Sequence, residues 1–250
     1  MKEVRVSVAM AVYNGETYVK EQIDSILSQF GKEDELVISY DASTDRTLEI
    51  IQGYAAQDDR IRVVLNDRPG VQNNFNNAVM SCRGQYIFLS DQDDVWVEGK
   101  LSRMLDMLQQ KGVILAVHNA KIVNADLSDT GKTIDDIAGA SVNPLSNFIR
   151  GTYWGCCMAF RRELIPAVCP FPNKHKVGHD IWIGMIASAC GKIARTDECL
   201  LLHRVHGGNV TVSTRKLPAI AEHRFALMGY LIGRFFNRKG FFNVRRESNW

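Results

Sequence analysis

The sequence predicts an α/β protein whose mostly parallel sheet is flanked by helices. Apolar, strand-like runs alternate with helix-period segments over roughly the first ninety residues, and this alternation implies right-handed crossovers between parallel strands. Three of the predicted strands end in polar residues. Because parallel strands bring their carboxyl ends to one edge of a sheet, where such folds bind ligands, we expect the functional site at that edge.

Four strands and three helices account for the first part of the chain. Short runs rich in β-branched residues predict the strands, and apolar residues three and four positions apart predict the helices. Gly and Pro turn signals separate them. The expected strands are 4–12, 35–40, 60–65 and 85–90, and the expected helices are 19–30, 48–54 and 71–82.

The remainder of the chain is less regular. The polar, Gly- and Asp-containing stretch 125–143 predicts a loop excursion. We expect one domain over 1–215, followed by a C-terminal helical tail over 216–250. The other predicted elements are helices at 101–108 and 181–189 and strands at 113–123, 152–160 and 200–205.

Composition narrows the classes of function and the compartment. The formal net charge of +2 argues against a dedicated nucleic-acid binder. Six cysteines without CxxC spacing make a zinc knuckle or a disulfide framework improbable and indicate a reducing, cytoplasmic setting. The N-terminus lacks the apolar core of a signal peptide, and no stretch approaches the ~20 apolar residues of a membrane span.

Three carboxylates follow the fourth predicted strand. The apolar run 86–89 leads into Asp91, Asp93 and Asp94, and residues at i and i+2 of an extended chain point the same way. Asp91 and Asp93 are therefore candidates to face one hard cation, Mg²⁺ or Mn²⁺, and through it a phosphate-bearing ligand. The alternative is an acidic turn that caps a following helix, and Asp94 is expected to act as such a cap.

Similar polar residues end the first two strands. Tyr13 and Asn14 follow the first, and Asp41 follows the second in a segment that continues to Asp45. The alternative role for Asp41 is a helix N-cap shared with Asp45. Asp180 opens a predicted helix, where it too would be an N-cap on purely local grounds.

The chain resembles the inverting family 2 glycosyltransferases, which have the Rossmann-like GT-A fold, and within them a bacterial rhamnosyltransferase-like branch. Short motifs in the order and spacing of that family carry the resemblance. They are the opening strand with Tyr13-Asn14, the segment Asp41–Asp45, the SDQDDVW run Ser90–Trp96, Gly155–Met158, His179–Trp182 and His203–Asn209. Three positions depart from the family pattern and leave the donor sugar open: Tyr40, His179 and His203.

The resemblance implies a role for each site residue. Asp41 would accept a hydrogen bond from the N3–H of uracil or thymine, beside Tyr13 and Asn14. The metal, Mg²⁺ or Mn²⁺, would be held by Asp93 with Asp91 as its partner or as a ribose contact. These roles imply a UDP- or dTDP-sugar donor, dTDP-rhamnose among them, and a glycan or lipid-linked glycan acceptor in surface polysaccharide synthesis.

The motifs nearer the C-terminus complete the implied site. His206 would bind the metal or the diphosphate, and Arg204 would contact phosphate. Asp180 would be the general base that deprotonates the acceptor hydroxyl, whereas His118 and His203 are expected to be strand or core histidines.

Two other functions fit parts of the pattern. A haloacid-dehalogenase-type phosphohydrolase would use Asp91 and Asp93 on its nucleophile strand, but that strand usually comes first in its domain. A non-catalytic sugar-nucleotide-binding protein would keep the fold without transfer. The basic, aromatic tail 224–246 is a candidate for peripheral contact with the inner face of the cell membrane, or for packing on the domain or on another subunit.

Overall fold

A computed structural model describes residues 3–172, 177–207 and 217–236. Within these ranges the strands are β1 (Val6–Val12), β2 (Asp34–Tyr40), β3 (Ile61–Leu65), β4 (Tyr86–Ser90), β5 (Val95–Trp96), β6 (Val113–Asn124), β7 (Asp129–Thr133), β8 (Met158–Arg161) and β9 (Lys192–Val205). The helices are α1 (Val19–Leu27), α2 (Thr47–Gln57), α3 (Val71–Ser81), α4 (Lys100–Leu108), α5 (Ile134–Ala138), α6 (Pro144–Arg150), α7 (Ile165–Val168), α8 (His179–Cys190) and α9 (Leu217–Phe236).

The first four strands form the predicted parallel half of the sheet. The order is β3-β2-β1-β4, and each neighbouring pair is parallel. Val12 at the end of β1 lies opposite Tyr40 of β2, and Met10 lies opposite Ser90 of β4. The residues that follow these strands therefore meet at one edge, as the sequence predicted.

The other half of the sheet is mixed. The order continues through β8, β6, β9 and β5, and β7 pairs with β6. β8 is antiparallel to both β4 and β6, β9 is parallel to β6, and β5 is antiparallel to β9. This order brings the end of β9 beside the short strand β5, which directly follows the acidic cluster.

Three predictions for this half were wrong in detail. The stretch 125–143, predicted as a loop, contains β7 and α5. The strand expected at 152–160 is confined to Met158–Arg161, because Gly155–Cys157 forms a helical turn. β9 begins eight residues earlier than expected, since its first half pairs with β6.

Apolar side chains cover both faces of the sheet. On one face α1, α2 and α4 contribute residues such as Ile23, Ile51 and Met104 to a continuous core. On the other, α3 and α8 contribute residues such as Phe75 and Ile183. The central strands are mostly apolar because each face of the sheet is buried, with a few buried polar residues such as Ser7, Glu35 and His118.

The described part of the tail, α9, packs on the second face. Leu227 and Leu231 are buried in the same core as α8, and the guanidinium of Arg234 lies over the Trp182 ring at 5.6 Å. The outward face of α9 is also apolar, with Phe225 80% and Phe236 82% exposed. Among the described residues, no helix combines the length and apolar character that a membrane crossing requires. Residues 237–246 of the predicted membrane segment lie outside the described ranges.

Candidate active site

Hydrogen bonds between backbone and side-chain groups join the loops that follow β1, β2 and β4. The amide of Gln92 accepts from the Tyr13 N–H and donates to the Tyr13 carbonyl, both at 2.8 Å. Asn14, at φ 46°, accepts from the Thr44 N–H at 2.9 Å, and its own N–H donates to Ser43 Oγ. Tyr13 remains half exposed, so the predicted nucleotide-binding turn faces solvent with a fixed backbone.

Asp41 lies directly after β2 and is 5% exposed. Its Oδ1 accepts from Asn66 Nδ2 at 2.5 Å, and its Oδ2 accepts from the Gly70 N–H at 2.9 Å. Asp45 instead binds the N–H of Thr47, the first residue of α2. The alternative of Asp41 as a helix cap is therefore wrong, and its carboxylate keeps lone pairs for a further donor.

Asp91 and Asp93 follow β4 in a crowded acidic cleft. Burial, reinforced by Asp94 and Asp93, raises the pKa of Asp91 to about 8. Burial and Asp94 also raise the pKa of Asp93, while the contact with His206 opposes that rise. Asp93 Oδ2 lies 2.9 Å from His206 Nε2, so two of the predicted metal ligands are adjacent across 113 residues of sequence.

Asp94 does not cap a helix, contrary to expectation. The residue that precedes α4 is Gly99, and Asp94 is completely buried beneath the cleft. Asp94 Oδ1 accepts from His203 Nδ1 at 2.9 Å and from the Arg204 backbone N–H at 3.1 Å. Burial alone would lower the pKa of His203, but the facing Asp94 carboxylate raises it to about 12, so the two form an ion pair.

Cys156 lies behind this ion pair. Its thiol, the Asp94 carboxylate and the His203 ring offer ligand atoms within 4.8 Å of one another, a group that could hold a metal ion. The ammonium of Lys100 donates to the Cys156 carbonyl at 2.8 Å and brings a positive charge to the same place. We therefore interpret the group as a structural support in which two cationic side chains accompany the buried Asp94 carboxylate.

Arg204 contacts several protein groups around Asp93. The residue is 3% exposed, and its guanidinium donates to the Asp93 carbonyl at 2.8 Å, to the Ala125 carbonyl and to Glu21. It also lies over the Tyr18 ring at 4.6 Å. These contacts hold the loop that carries Asp93, and the contact of Arg204 with phosphate stays a prediction.

Asp180 lies in the first turn of α8, two residues after the cap position. The helix is preceded by Gly178, and Asp180 Oδ1 accepts from the Ile181 N–H at 2.7 Å. The Asp180 charge makes only a small contribution to the raised pKa of Asp91, after burial, Asp94 and Asp93.

The His179 ring supports the start of α8. The His179 ring stacks on Phe75 at a centroid distance of 4.1 Å, and burial lowers its pKa. A Cβ on Gly155 would come within 2.5 Å of His179 Nε2, so only glycine allows this approach of the turn to α8. The packing of His179 therefore fixes the start of the helix that carries Asp180.

The donor set of the cleft suits a divalent cation. Asp91 and Asp93 crowd negative charge into a partly buried place, which a cation would relieve, and His206 adds a nitrogen beside Asp93. Carboxylate oxygens suit both Mg²⁺ and Mn²⁺, while Mg²⁺ keeps more of its ligands as oxygen. The residues present therefore fit the expected metal.

Sequence reasoning gave no role to several residues that build this site. Gln92 lies inside the SDQDDVW run, and Gln22 of α1 donates to Ser90 Oγ and to the Asp91 carbonyl at 2.8 and 3.0 Å. A glutamine within the apolar stripe of α1 was the available signal for the second. His203 was expected only to be a strand histidine, and its pairing with Asp94 has no local signature.

Comparison with known proteins gives a consistent result. The model of a family described as "Glycosyl transferase family 2" matches residues 7–168. The Bacillus subtilis protein described as "Putative teichuronic acid biosynthesis glycosyltransferase TuaG" is 31% identical over 223 residues, covering 88% of this chain and 86% of that protein. The Escherichia coli "UDP-Glc:alpha-D-GlcNAc-diphosphoundecaprenol beta-1,3-glucosyltransferase WfgD" is 25% identical over 191 residues, with 74% and 71% covered.

The fold is also that of solved structures. The crystal structure of S. aureus TarS 1-349 in complex with UDP-GlcNAc aligns with a TM-score of 0.70 at 20% identity, covering 94% of this chain and 73% of that one. The first three curated relatives differ in length, and this chain spans 70%, 54% and 86% of them.

Proposed function

Because this chain belongs to glycosyl transferase family 2, we propose that it transfers a sugar from a nucleotide-sugar donor to a glycan acceptor in surface polysaccharide synthesis. The observation that carries the proposal is the placement of Asp41 after β2 and of Asp91 and Asp93 after β4 at one sheet edge, with His206 beside Asp93. The family assignment favours transfer over the phosphohydrolase alternative.

We assign donor binding to the ends of β1, β2 and β4. Asp41, fixed by Asn66 and Gly70, has acceptor capacity left for the N3–H of uracil or thymine. Tyr13 is exposed beside it and offers a face on which a base can stack. Asn14 holds the turn closed through Thr44, which keeps these two groups in place.

The divalent cation would be held by Asp93, His206 and Asp91, and when bound it would neutralise the charge that develops on the departing nucleoside diphosphate. Without it, the acidic cleft repels a diphosphate. Arg204 and His203 contribute indirectly, because they fix the loop on which Asp93 lies.

Asp180 is the proposed general base. In an inverting transfer the acceptor hydroxyl attacks the anomeric carbon on the face opposite the leaving group, and its proton passes to a carboxylate on that face. One carboxylate suffices, since the nucleoside diphosphate leaves without protonation. The bond from the Ile181 N–H to Oδ1 orients the group and leaves Oδ2 for the acceptor.

The donor is proposed to be a UDP-sugar, with a dTDP-sugar such as dTDP-rhamnose as the alternative. UDP-glucose is in the name of WfgD, and UDP-GlcNAc is bound to TarS. Both pyrimidine bases carry the N3–H that Asp41 would recognise. The departures at His179 and His203 leave the sugar itself to be identified by experiment.

The acceptor is proposed to be a lipid-linked glycan reached at the inner face of the cell membrane. The name of WfgD includes a diphosphoundecaprenol-linked acceptor. The apolar outward face of α9, with Phe225 and Phe236, and the basic residues of 224–246 suit an anionic lipid surface. Co-sedimentation with phosphatidylglycerol vesicles should fall when Phe225 and Phe236 are both changed to serine, and equal binding would contradict membrane contact.

A nucleotide-sugar screen tests the function. Purified protein is melted with UDP-glucose, UDP-GlcNAc, dTDP-rhamnose or GDP-mannose, each with and without Mn²⁺. A ligand at about 100 times its Kd stabilises the fold by about 2.7 kcal/mol, so the true donor should raise the melting temperature in the presence of Mn²⁺. The selected donor is then tested for release of nucleoside diphosphate with a lipid-linked acceptor. Stabilisation without turnover would favour the non-catalytic binding protein, and the absence of any shift would contradict the proposal.

A further inference from the structure

We propose that His203 and Asp94 form a buried clamp that positions Asp93, and that His203 thereby sets the affinity of the site for its metal ion. The inference rests on the proposed function, which assigns the metal to Asp93 and His206. His203 is a positioning residue, since it acts through Asp94 and not by ligation.

Strand pairing brings the two halves of the clamp together. β5 is antiparallel to β9, with Val95 opposite Leu202 and Trp96 opposite Leu201. The residues just before β5 therefore run beside the residues just after this register. Asp94 is turned into the protein at this point, where its Oδ1 accepts from His203 Nδ1 at 2.9 Å.

The end of β9 holds the acidic loop at two further points. The Arg204 N–H donates to Asp94 Oδ1 at 3.1 Å, and Arg204 Nε donates to the Asp93 carbonyl at 2.8 Å. Two residues further on, His206 Nε2 lies 2.9 Å from Asp93 Oδ2. The end of β9 thus supplies the residues that hold the acidic loop, and it is followed directly by the second proposed metal ligand, His206. The clamp therefore fixes the distance between Asp93 and His206.

The position of His203 is itself fixed from behind. Its ring meets the Trp154 ring edge-on at a centroid distance of 5.3 Å, and a nitrogen of the ring lies within 4.8 Å of the Cys156 thiol. This packing restricts the orientation of the His203 imidazole to one that donates to Asp94. The restricted imidazole in turn limits the movement of the loop that carries Asp93 and Asp94.

Removing the imidazole would leave a buried carboxylate poorly compensated. Asp94 is completely buried, and its Oδ2 has no hydrogen-bond partner within the described ranges. A buried carboxylate that loses its partner is destabilising unless it moves to another donor or to water, and that movement shifts the loop that carries Asp93. A tyrosine, which the resemblance places at position 203, keeps a hydroxyl that can donate to Asp94.

The test is metal affinity in the absence of donor. Binding of Mn²⁺ alone is titrated on full-length wild type, His203→Phe, His203→Tyr and Asp94→Asn by the electron paramagnetic resonance signal of free Mn²⁺. His118→Phe is the matched control, because His118 is a buried strand histidine that bonds to the Asn119 carbonyl and not to the acidic loop. A thermal melt of each metal-free variant reports whether it is folded.

Loss of an outer-shell partner typically weakens metal binding by about 10- to 100-fold, and this is the expected loss for His203→Phe. His203→Tyr should recover most of the affinity, and the His118→Phe control should match wild type. Folded His203→Phe with wild-type affinity would overturn the proposal. If His203→Phe does not fold, Asp94→Asn decides in its place, with at least about tenfold weaker binding expected and unchanged binding overturning the clamp.

These outcomes are separable from those of the proposed function. Wild type that binds Mn²⁺ with the expected variant series, yet transfers no sugar, would contradict the function and leave the clamp standing. Transfer activity together with equal Mn²⁺ affinity in all folded variants would contradict the clamp alone. Wild type that binds no Mn²⁺ would overturn the clamp, since no affinity would be left for it to set.

Discussion

Gly178, the residue before α8, should control the position of the proposed base. A Cβ at this position would lie 2.2 Å from Asp180 Oδ1 and 3.3 Å from its Cγ. The backbone of Gly178, at φ −62° and ψ 141°, is open to alanine, so the substitution acts through this contact and not through strain. In Gly178→Ala the carboxylate must turn away and lose its bond from the Ile181 N–H.

The two expected effects differ in size. One partly exposed hydrogen bond contributes about 1 kcal/mol, so the free energy of unfolding should fall by no more than that. A general base contributes about 10²- to 10⁴-fold to a rate, so its displacement should lower kcat by about 10²-fold while the Kd for donor stays near the wild-type value. Donor turnover with saturating acceptor measures kcat, and denaturant unfolding measures the stability.

Gly53→Ala is the matched control. Gly53 lies within α2, and a Cβ there would meet nothing within 4 Å. The free energy of unfolding of that variant should rise by about 0.5–1 kcal/mol, because alanine is favoured over glycine in helices. The variant should keep the wild-type kcat. Wild-type kcat in Gly178→Ala would refute the placement of the base at Asp180.

Three further predictions concern other parts of the molecule. Burial holds the pKa of His118 well below its usual 6.5, so the unfolded chain takes up a proton below pH 6.5 that the folded protein refuses, and stability falls as the pH drops. His118→Phe removes this term, so its denaturant midpoint should fall less than that of wild type between pH 6.5 and 5.5, by the equivalent of about 1 kcal/mol; parallel pH curves would contradict it. Gln92→Leu removes both bonds to the Tyr13 backbone and should cost about 1–2 kcal/mol in chemical unfolding, with weaker donor binding; unchanged stability and affinity would show that the Tyr13 turn holds itself. Asp41→Asn should weaken UDP binding in calorimetry by about tenfold or more, as expected for loss of a bond to a charged acceptor, and equal affinity would exclude Asp41 as the base reader.

The parallel half of the fold could be predicted because its signals are local. Each of β1 to β4 is a short apolar run bounded by a turn signal, and each intervening helix shows its own apolar spacing. The carboxyl-end rule then placed Tyr13, Asp41 and Asp91 at one edge without knowledge of any contact. Their observed positions after β1, β2 and β4 agree with that inference.

The mixed half depends on pairings that no local pattern records. β5 is two residues long and exists as a strand because it pairs with β9. The first half of β9 is polar, and it is extended because β6 lies beside it. The turn Gly155–Cys157 interrupts an apolar run since Gly155 packs against His179.

The same distinction applies to the site. The family resemblance implied that Asp93 and His206 belong to one site, and Asp93 Oδ2 lies 2.9 Å from His206 Nε2, whereas the role of Asp94 depended on a partner 109 residues away. Local reasoning favoured a helix cap for Asp94, because an acidic residue before a helix is usually one. The Asp94 side chain is instead buried against His203, and sequence spacing does not reveal that burial.

Turnover in Asp180→Asn tests the proposed transfer most directly. Asparagine keeps the shape of the side chain and the acceptor for the Ile181 N–H, but it cannot take a proton from the acceptor. With the donor found by the screen, Mn²⁺ and a lipid-linked acceptor, kcat should fall by about 10²- to 10⁴-fold while calorimetry gives the wild-type Kd for the nucleoside diphosphate. An Asp180→Asn variant that transfers sugar at the wild-type rate would contradict the mechanism at its centre.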